Sequence, residues 1–153
     1  MIRNNQNRIH SIALLHKKLN IDESVSDVDL KRYISELSQL VKDSYNTANK
    51  NVNLYITCKV ESLSISKALP VGLIVVELVS NSMKHAFDKQ SNGIINIEVT
   101  KDEKNNRNKL HYVDNGVGFD FNKTDFKGLG VEIMKGLIDQ LNATHRNTQK
   151  QRF

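Results

Sequence analysis

Four polar side chains recur at helical spacing inside an apolar segment of the sequence. Glu77, Asn81, Lys84 and His85 stand at i, i+4, i+7 and i+8, which places them on one face of an α-helix. The amide oxygen of Asn81 suits a hard cation such as Mg²⁺, and the Lys84 ammonium can neutralise phosphate oxygens. Asp88 extends the same face. The pattern indicates either a site for a metal-bound phosphate compound or a solvated polar stripe, and the spacing alone leaves both open.

A glycine-rich segment supplies a second candidate site. Residues 113–119 (VDNGVGF) follow a strand pattern, and residues 127–130 (KGLG) precede a helical one. Glycines let a ligand approach the backbone closely, and the N–H groups of a helix start bind phosphate. Neither a dinucleotide fingerprint nor a Walker A loop is complete here. Asp114, at the strand end, can accept a hydrogen bond from an exocyclic amino group, although two simple turns remain the alternative.

Hydrophobic periodicity predicts the elements that would position these residues. The predicted helices cover residues 3–19, about 30–44, 66–87 and 133–141, and the predicted strands cover residues 52–57, 93–100 and 110–113. The last two strands are expected to form a hairpin, and the tail from residue 143 to contribute one or two further strands. This order predicts a mixed sheet covered on one face by helices, which is an α/β (α+β) two-layer sandwich.

Local signals suggest where two of these helices begin. Ser26 and Asp27 end a polar loop and are candidate N-caps for the helix that follows. Pro70 is expected to be tolerated because it would lie in the first turn of the next helix.

Composition excludes several classes of protein. The chain has 153 residues, 39% apolar and 25% charged, which fits one folded domain rather than a disordered chain. The net charge of +5 comes from basic residues interleaved with acids, and there is no Trp, so a nucleic-acid surface is not expected. The sequence shows neither an apolar run of about 20 residues nor a secretory signal, and Cys58 is a lone cysteine. These features predict a cytoplasmic protein, or the cytoplasmic part of a larger protein, with no membrane segment in this chain.

Taken together, the motifs resemble those of a known superfamily. Residues 77–87 (ELVSNSMKHAF) resemble the N box of the GHKL ATP-binding superfamily, and residues 114–119 and 127–130 resemble its two glycine boxes. Within it, the likeness is to sensor histidine kinases. Residues 8–19 (RIHSIALLHKKL) are similar to the second helix of the dimerisation domain in one subfamily, and residues 69–74 (LPVGLI) fit the same subfamily.

The resemblance implies a Bergerat ATP-binding fold with an N-terminal helix from a dimerisation module. Residues 1–27 would be a partial dimerisation module, and residues 28–153 the ATP-binding catalytic domain. ATP and Mg²⁺ would be the ligands, with Asn81 holding the metal and Glu77 supporting the metal or a water. The catalytic residues would be Glu77, Asn81 and Lys84. The nucleotide-binding residues would be Asn81, Lys84, His85, Asp114, Gly116, Gly118, Lys127, Gly128, Leu129 and Gly130.

The same resemblance implies a role for each part of the site. Asp114 would bind the adenine amino group, while Gly116 and Gly118 would shape the adenine pocket. Lys84 and His85 would face the phosphates or the ribose. Residues 119–127 would form a lid that becomes ordered when nucleotide binds, and the N–H groups of residues 128–130 would meet the phosphates.

The sequence also departs from the family pattern. The phosphoacceptor histidine of such kinases lies on the first dimerisation helix, which is expected to be missing here. His10 and His16 fall within the second-helix match and are expected to be ordinary helix histidines. The lid is short, and the tail lacks the usual closing glycine turn. The chain is therefore expected to be a fragment that binds ATP without phosphorylating itself.

Three functions are compatible with these motifs. The first is the catalytic part of a two-component sensor histidine kinase, which transfers the ATP γ-phosphoryl group to a histidine on a helix not present in this chain. Its partners would be that phosphoacceptor helix, a response regulator and, in the full-length protein, a second copy. The second is a GHKL ATPase in which Glu77 activates water. The third is a nucleotide-sensing switch, and the N-terminal helix favours the first.

Overall fold

The computed structural model describes residues 27–45, 50–87, 92–117 and 129–144, together with five helical residues nearer the N-terminus. Those five are Gln6, Ile9, His10, Ala13 and Lys17, and all are exposed. Their helical conformation agrees with the predicted helix over residues 3–19. Ile9 is 64% exposed, so the apolar side chain at this position is not buried by the described part of the chain.

Eight regular elements follow one another in these ranges. They are β1 (Asp27–Asp29), α1 (Leu30–Ser44), β2 (Asn51–Cys58), β3 (Ser62–Ser64), α2 (Ile65–Asn81), β4 (Asn92–Asp102), β5 (Arg107–Asp114) and α3 (Leu129–Gln140). A π-helical turn, Ser82–Ala86, continues α2. The predicted helices and strands are all recovered in the described ranges, and α3 begins earlier than its apolar period indicated. The last strands were predicted in the tail from residue 143; residues 143 and 144 are not in a strand, and the rest of the tail lies outside the described residues.

The main sheet has the order β2-β4-β5 and is mixed. β2 runs parallel to β4, and β4 runs antiparallel to β5 with Ile95 opposite Asp114. The predicted hairpin is therefore confirmed, and its turn uses Asn106 at a positive φ of 49°. A second, two-stranded sheet pairs β1 with β3. The sequence did not indicate it, because three-residue strands are too short to show an alternating pattern.

The hydrophobic core lies between the main sheet and the helices. Ile95, Ile97 and Val99 alternate along β4 with exposures of 0–3% and face the core, as the period-two pattern predicted. α1 and α2 pack against each other where the Tyr33 ring lies on Gly72. The contact needs glycine, because a Cβ at position 72 would come within 2.6 Å of Tyr33 Cε1. The predicted α/β two-layer arrangement is confirmed in the described residues.

Two local predictions were wrong. Asp29 caps α1, since its Oδ1 accepts a hydrogen bond from Arg32 N at 3.0 Å, whereas Asp27 lies in β1 and Ser26 lies outside the described residues. Pro70 is inside α2 rather than in its first turn, because the helix begins at Ile65. The missing N–H of Pro70 therefore removes one hydrogen bond from the helix interior.

One helical segment, Ile65–Ala86, is long and apolar enough to pass for a membrane span by length and composition alone. In the structure 56% of this stretch is buried inside the protein. Val75, Val76 and Val79 belong to the hydrophobic core and are at most 1% exposed. Packing of α2 within the core therefore accounts for the apolar character of this segment.

Candidate functional site

The polar residues predicted to share one helix face lie at the C-terminal end of α2 and in the π-helical turn. Glu77 is 1% exposed, which rules out a solvated stripe at this position. Asn81, the last residue of α2, and Lys84 are half-buried, and His85 is exposed. The four residues thus run from the core to the surface as the helix ends.

The π-helical turn changes the geometry that the spacing predicted. A π turn is wider than an α turn, so the residues after Asn81 are rotated relative to an uninterrupted α-helix. Glu77 and Asn81 keep the i, i+4 relation of the predicted face. Lys84 and His85 follow inside the π turn and so depart from the α-helical line. Nothing in the sequence signalled this turn, although such turns are frequent at functional sites.

The Asp114 carboxylate, at the end of β5, is held by two donors. Gly116 N–H donates to Oδ1 at 3.0 Å, and the Ser82 hydroxyl donates to Oδ2 at 2.6 Å. Ser82 directly follows Asn81, so this hydrogen bond joins the predicted helix face to the predicted glycine-rich segment. Asp114 is half-buried, so the residue as a whole is not sealed inside the core.

Tyr112 extends the same hydrogen-bonded group. Its Oη lies 2.6 Å from Ser82 Oγ and donates to the Leu78 carbonyl at 3.1 Å. Burial, with a smaller contribution from the negative charge of Asp114, raises the pKa of the Tyr112 phenol far above its ordinary value, so the phenol stays protonated. Sequence reasoning missed Ser82 and Tyr112. The only available signal was that Tyr112 shares a strand face with Asp114, two residues away.

The first glycine turn packs directly on the π-helical turn. Val117 N–H donates to the Ala86 carbonyl at 2.9 Å, and Asn115 exchanges hydrogen bonds with the backbone of Ile94. A Cβ at Gly116 would collide with the Ala86 carbonyl oxygen and lie 2.7 Å from its carbonyl carbon. Only glycine fits between these two backbones, so the residue type at position 116 permits the close approach of the two motifs.

The second glycine segment is described only in part. Gly118, Lys127, Gly128 and the predicted lid over residues 119–127 lie outside the described residues. Leu129 and Gly130 form the first turn of α3, so the prediction that this segment opens a helix is confirmed. The predicted roles of these residues toward phosphate remain predictions.

The donor set limits how a metal could be held here. In the described ranges, no three His, Cys, Asp or Glu side chains lie close enough together to bind a metal ion. A divalent cation at this site would therefore take few ligands from these residues, such as the Asn81 amide oxygen with support from Glu77, and would complete its coordination with ligand phosphate oxygens and water. Mg²⁺ fits that arrangement, because it commonly keeps several waters and takes few protein ligands.

A shallow depression of about 390 Å³ lies on the outer face of the main sheet. Its lining includes Tyr55, Glu98, His111 and Val113. Because side chains alternate along a strand, His111 and Val113 point to the opposite face from Tyr112 and Asp114. The depression is therefore separate from the candidate site.

Two family profiles together match almost the whole chain. The family described as "Histidine kinase-like ATPase domain" matches residues 46–151, and the family described as "Histidine kinase" matches residues 1–45. A curated relative, "Sensor histidine kinase PdtaS" of Mycolicibacterium smegmatis, is 26% identical over 136 residues, which is 86% of this chain and 26% of the relative. The chain thus spans about a quarter of the length of this relative.

Solved structures with the same fold include the histidine kinase domain of the Erythrobacter litoralis EL346 blue-light activated histidine kinase. It superposes with a TM-score of 0.75 at 16% identity, covering 89% of this chain and 64% of that one. A second structure, of the blue-light activated histidine kinase itself, gives a TM-score of 0.74 at 18% identity over 88% of this chain and 41% of that one.

Proposed function

Because this chain belongs to the histidine kinase-like ATPase domain family, we propose that it is the ATP-binding catalytic part of a two-component sensor histidine kinase. ATP would donate its γ-phosphoryl group to a histidine nitrogen on a phosphoacceptor helix of the same kinase. The observation that carries the proposal is the hydrogen bond from Ser82, next to Asn81, to Asp114 at 2.6 Å. If Asn81 lies at the phosphate end and Asp114 at the base end, this hydrogen bond would join the two ends of one nucleotide site.

Asp114 is the proposed adenine-binding residue. Its carboxylate oxygens accept hydrogen bonds from Gly116 N–H and Ser82, and each retains a lone pair for a further donor. The 6-amino group of adenine is such a donor, whereas the 6-oxo group of guanine is an acceptor and would be repelled. A site built around a buried hydrogen bond discriminates strongly against a ligand that cannot form it. Gly116 and Gly118 would line the adenine pocket.

The phosphates are assigned to the end of α2 and the start of α3. The Asn81 amide oxygen would be a Mg²⁺ ligand, and Glu77 would support the metal or a water. Mg²⁺, when bound, neutralises charge on the phosphate oxygens. Lys84 and His85 would face the phosphates or the ribose. Backbone N–H groups between Lys127 and Gly130 would bind phosphate at the helix start; catalysis would consist mainly of positioning.

The partners follow from the proposed reaction. The phosphohistidine would pass its phosphoryl group to an aspartate of a response regulator, in a cytoplasmic kinase that acts as a homodimer. His10 is exposed but is given no phosphoacceptor role. We place the end of the dimerisation module at residue 27, before α1. The reason is that Tyr33 of α1 packs on Gly72 of α2, so α1 is assigned to the ATP-binding domain.

The proposal is tested by combining this chain and radiolabelled Mg-ATP with a separately supplied phosphoacceptor helix of a sensor histidine kinase. We expect acid-labile label on the helix, and we expect Asn81→Ala to abolish it. Release of free phosphate without labelled helix would favour the ATPase alternative, in which Glu77 activates water. Binding of ATP with neither outcome would favour a nucleotide-sensing switch, and absence of ATP binding in calorimetry would contradict the nucleotide site itself.

A further inference from the structure

A chain of hydrogen bonds runs from the interior of the protein to the Asp114 carboxylate. On the premise of the ATP site proposed above, we propose that Ser82 and Tyr112 are positioning residues that fix the orientation of this carboxylate. They would thereby set the selection for purines with an amino group at position 6. Both residues act through Asp114 and need not touch the nucleotide.

The direction of each hydrogen bond follows from the available protons. An ionised carboxylate only accepts, so the single hydroxyl proton of Ser82 goes to Asp114 Oδ2 across 2.6 Å. Ser82 Oγ must then accept from Tyr112 at their 2.6 Å contact. The Tyr112 proton is shared with the Leu78 carbonyl, which is farther away at 3.1 Å. The polarity of the chain is therefore Tyr112 to Ser82 to Asp114.

The second carboxylate oxygen is fixed as well. Gly116 N–H donates to Oδ1 at 3.0 Å, so rotation of the Asp114 carboxylate would break a hydrogen bond on at least one side. An amino group of a ligand would thus meet an acceptor whose orientation is set before binding. Such preorganisation raises affinity because less freedom is lost when the ligand binds.

The hydrogen bonds of Ser82 and Tyr112 set these two hydroxyls apart from other buried hydroxyls of the protein. Elsewhere in the described residues, the buried hydroxyls of Tyr33, Ser38 and Ser80 have no hydrogen-bond partner. Burial on α1 or α2 does not by itself give a hydroxyl a hydrogen-bond partner among the described protein groups. At the carboxylate, in contrast, both hydroxyls are bonded, and Tyr112 is hydrogen-bonded in turn to the backbone of α2 at Leu78.

The test is a double-mutant type of cycle, in which a substitution in the protein is combined with removal of the 6-amino group from the nucleotide. Calorimetry with Mg²⁺ compares ATP with purine riboside triphosphate, which lacks the 6-amino group. Because Ser82 donates directly to the carboxylate and Tyr112 acts one hydrogen bond farther away, Ser82→Ala should weaken ATP binding about tenfold and Tyr112→Phe about threefold. Neither change should alter binding of the analogue by more than about twofold.

Matched controls separate positioning from a general effect on folding. Ser38→Ala removes a buried serine hydroxyl on α1, and Tyr55→Phe removes a phenol on the outer face of the sheet. Both should leave the ratio of the two affinities unchanged. If Ser82→Ala lowers the melting temperature, the isosteric change Tyr112→Phe decides the question through the same ratio.

The outcomes distinguish this inference from the function on which it rests. Equal losses for ATP and the analogue in both site variants would overturn the positioning role, while a wild-type preference for ATP would leave the proposed function standing. If the wild-type protein binds ATP and the analogue equally well, the adenine role of Asp114 fails, and the positioning role fails with it.

Discussion

The middle of α2 and its C-terminal end differ in the contacts that they make. In the middle, Tyr33 lies on Gly72 with its side chain fully buried, and its hydroxyl has no hydrogen-bond partner among the described residues. At the end, the hydroxyls of Ser82 and Tyr112 are bonded to each other and to Asp114 or the backbone. Apolar packing governs the first region, and the arrangement of polar groups governs the second.

This difference indicates that substitutions along α2 can change the free energy of unfolding and the affinity for nucleotide separately. Burying a large apolar side chain contributes about 1.5–3 kcal/mol to the free energy of unfolding. A neutral hydrogen bond such as Tyr112–Ser82 contributes about 1 kcal/mol net, and one to a carboxylate, such as Ser82–Asp114, contributes more. Substitutions in the packed region, which α1 and the middle of α2 share, should act mainly on unfolding, and substitutions at the polar end of α2 should act mainly on nucleotide binding. Four substitutions, from the largest expected effect to the smallest, can break or sharpen this contrast.

Ile34→Ala should have the largest effect, on stability alone. Ile34 is fully buried on α1, and truncating such a side chain leaves a cavity that costs about 2–5 kcal/mol. Ile94→Ala, at a position of β4 that is 37% exposed, is the matched control and should change stability less. Chemical denaturation measures both. A shift in the preference for ATP over GTP by the folded Ile34→Ala protein would break the separation.

Asp114→Asn should weaken ATP binding about a hundredfold while the fold persists. The amide retains the size of the side chain but replaces one acceptor with a donor, which faces either Ser82 or the adenine amino group. Calorimetry measures the affinity, and circular dichroism checks the fold. A matched change at an exposed carboxylate, Asp43→Asn, should do nothing. Unchanged ATP affinity in Asp114→Asn would remove this residue from the site.

Asn81→Ala should weaken Mg-ATP binding about tenfold, since one metal ligand is lost. Asn81 is half-buried, so the substitution should lower the melting temperature of the protein only slightly while it clearly weakens Mg-ATP binding. The affinity measured without Mg²⁺ should be nearly the same in the two proteins. Comparable losses of stability and affinity would instead assign Asn81 to the packed region.

Tyr33→Phe should have the smallest effect at neutral pH and a larger one in alkali. Burial raises the pKa of Tyr33 from 10.0 to about 12. Between these values the unfolded chain loses the phenol proton and the folded chain keeps it, so stability present below pH 10 declines as pH rises toward 12. In Tyr33→Phe the free energy of unfolding, measured by denaturation at several pH values, should decline less steeply above pH 10. An unchanged dependence on pH would contradict the raised pKa of Tyr33.

Much of the fold was predictable because its signals are local. The alternation of Ile95, Ile97 and Val99 required a strand with one buried face, and the apolar period around Val75 required a buried helix. The range of α1 was predicted correctly but its capping residue was not, since Asp27 and Asp29 can both cap a helix and only the pairing of β1 with β3 decides between them. Tertiary contacts therefore set boundaries that residue types leave open.

The candidate site was predictable as motifs but not as an arrangement. The spacing of Glu77 and Asn81 and the glycine-rich segment around Gly116 marked the two halves. The hydrogen bonds of Ser82 with Tyr112 and Asp114 join residues about 30 positions apart, and the π-helical turn was not signalled by the residues that form it. No local pattern encodes either feature.

The most direct measurement is a competition titration of the wild-type protein with Mg-ATP and Mg-GTP. If Asp114 reads the amino group of adenine, GTP should displace ATP only at concentrations about a hundredfold higher or more. Competition by GTP at concentrations equal to those of ATP would show that the carboxylate does not select the base and would contradict the assignment of this site to adenine.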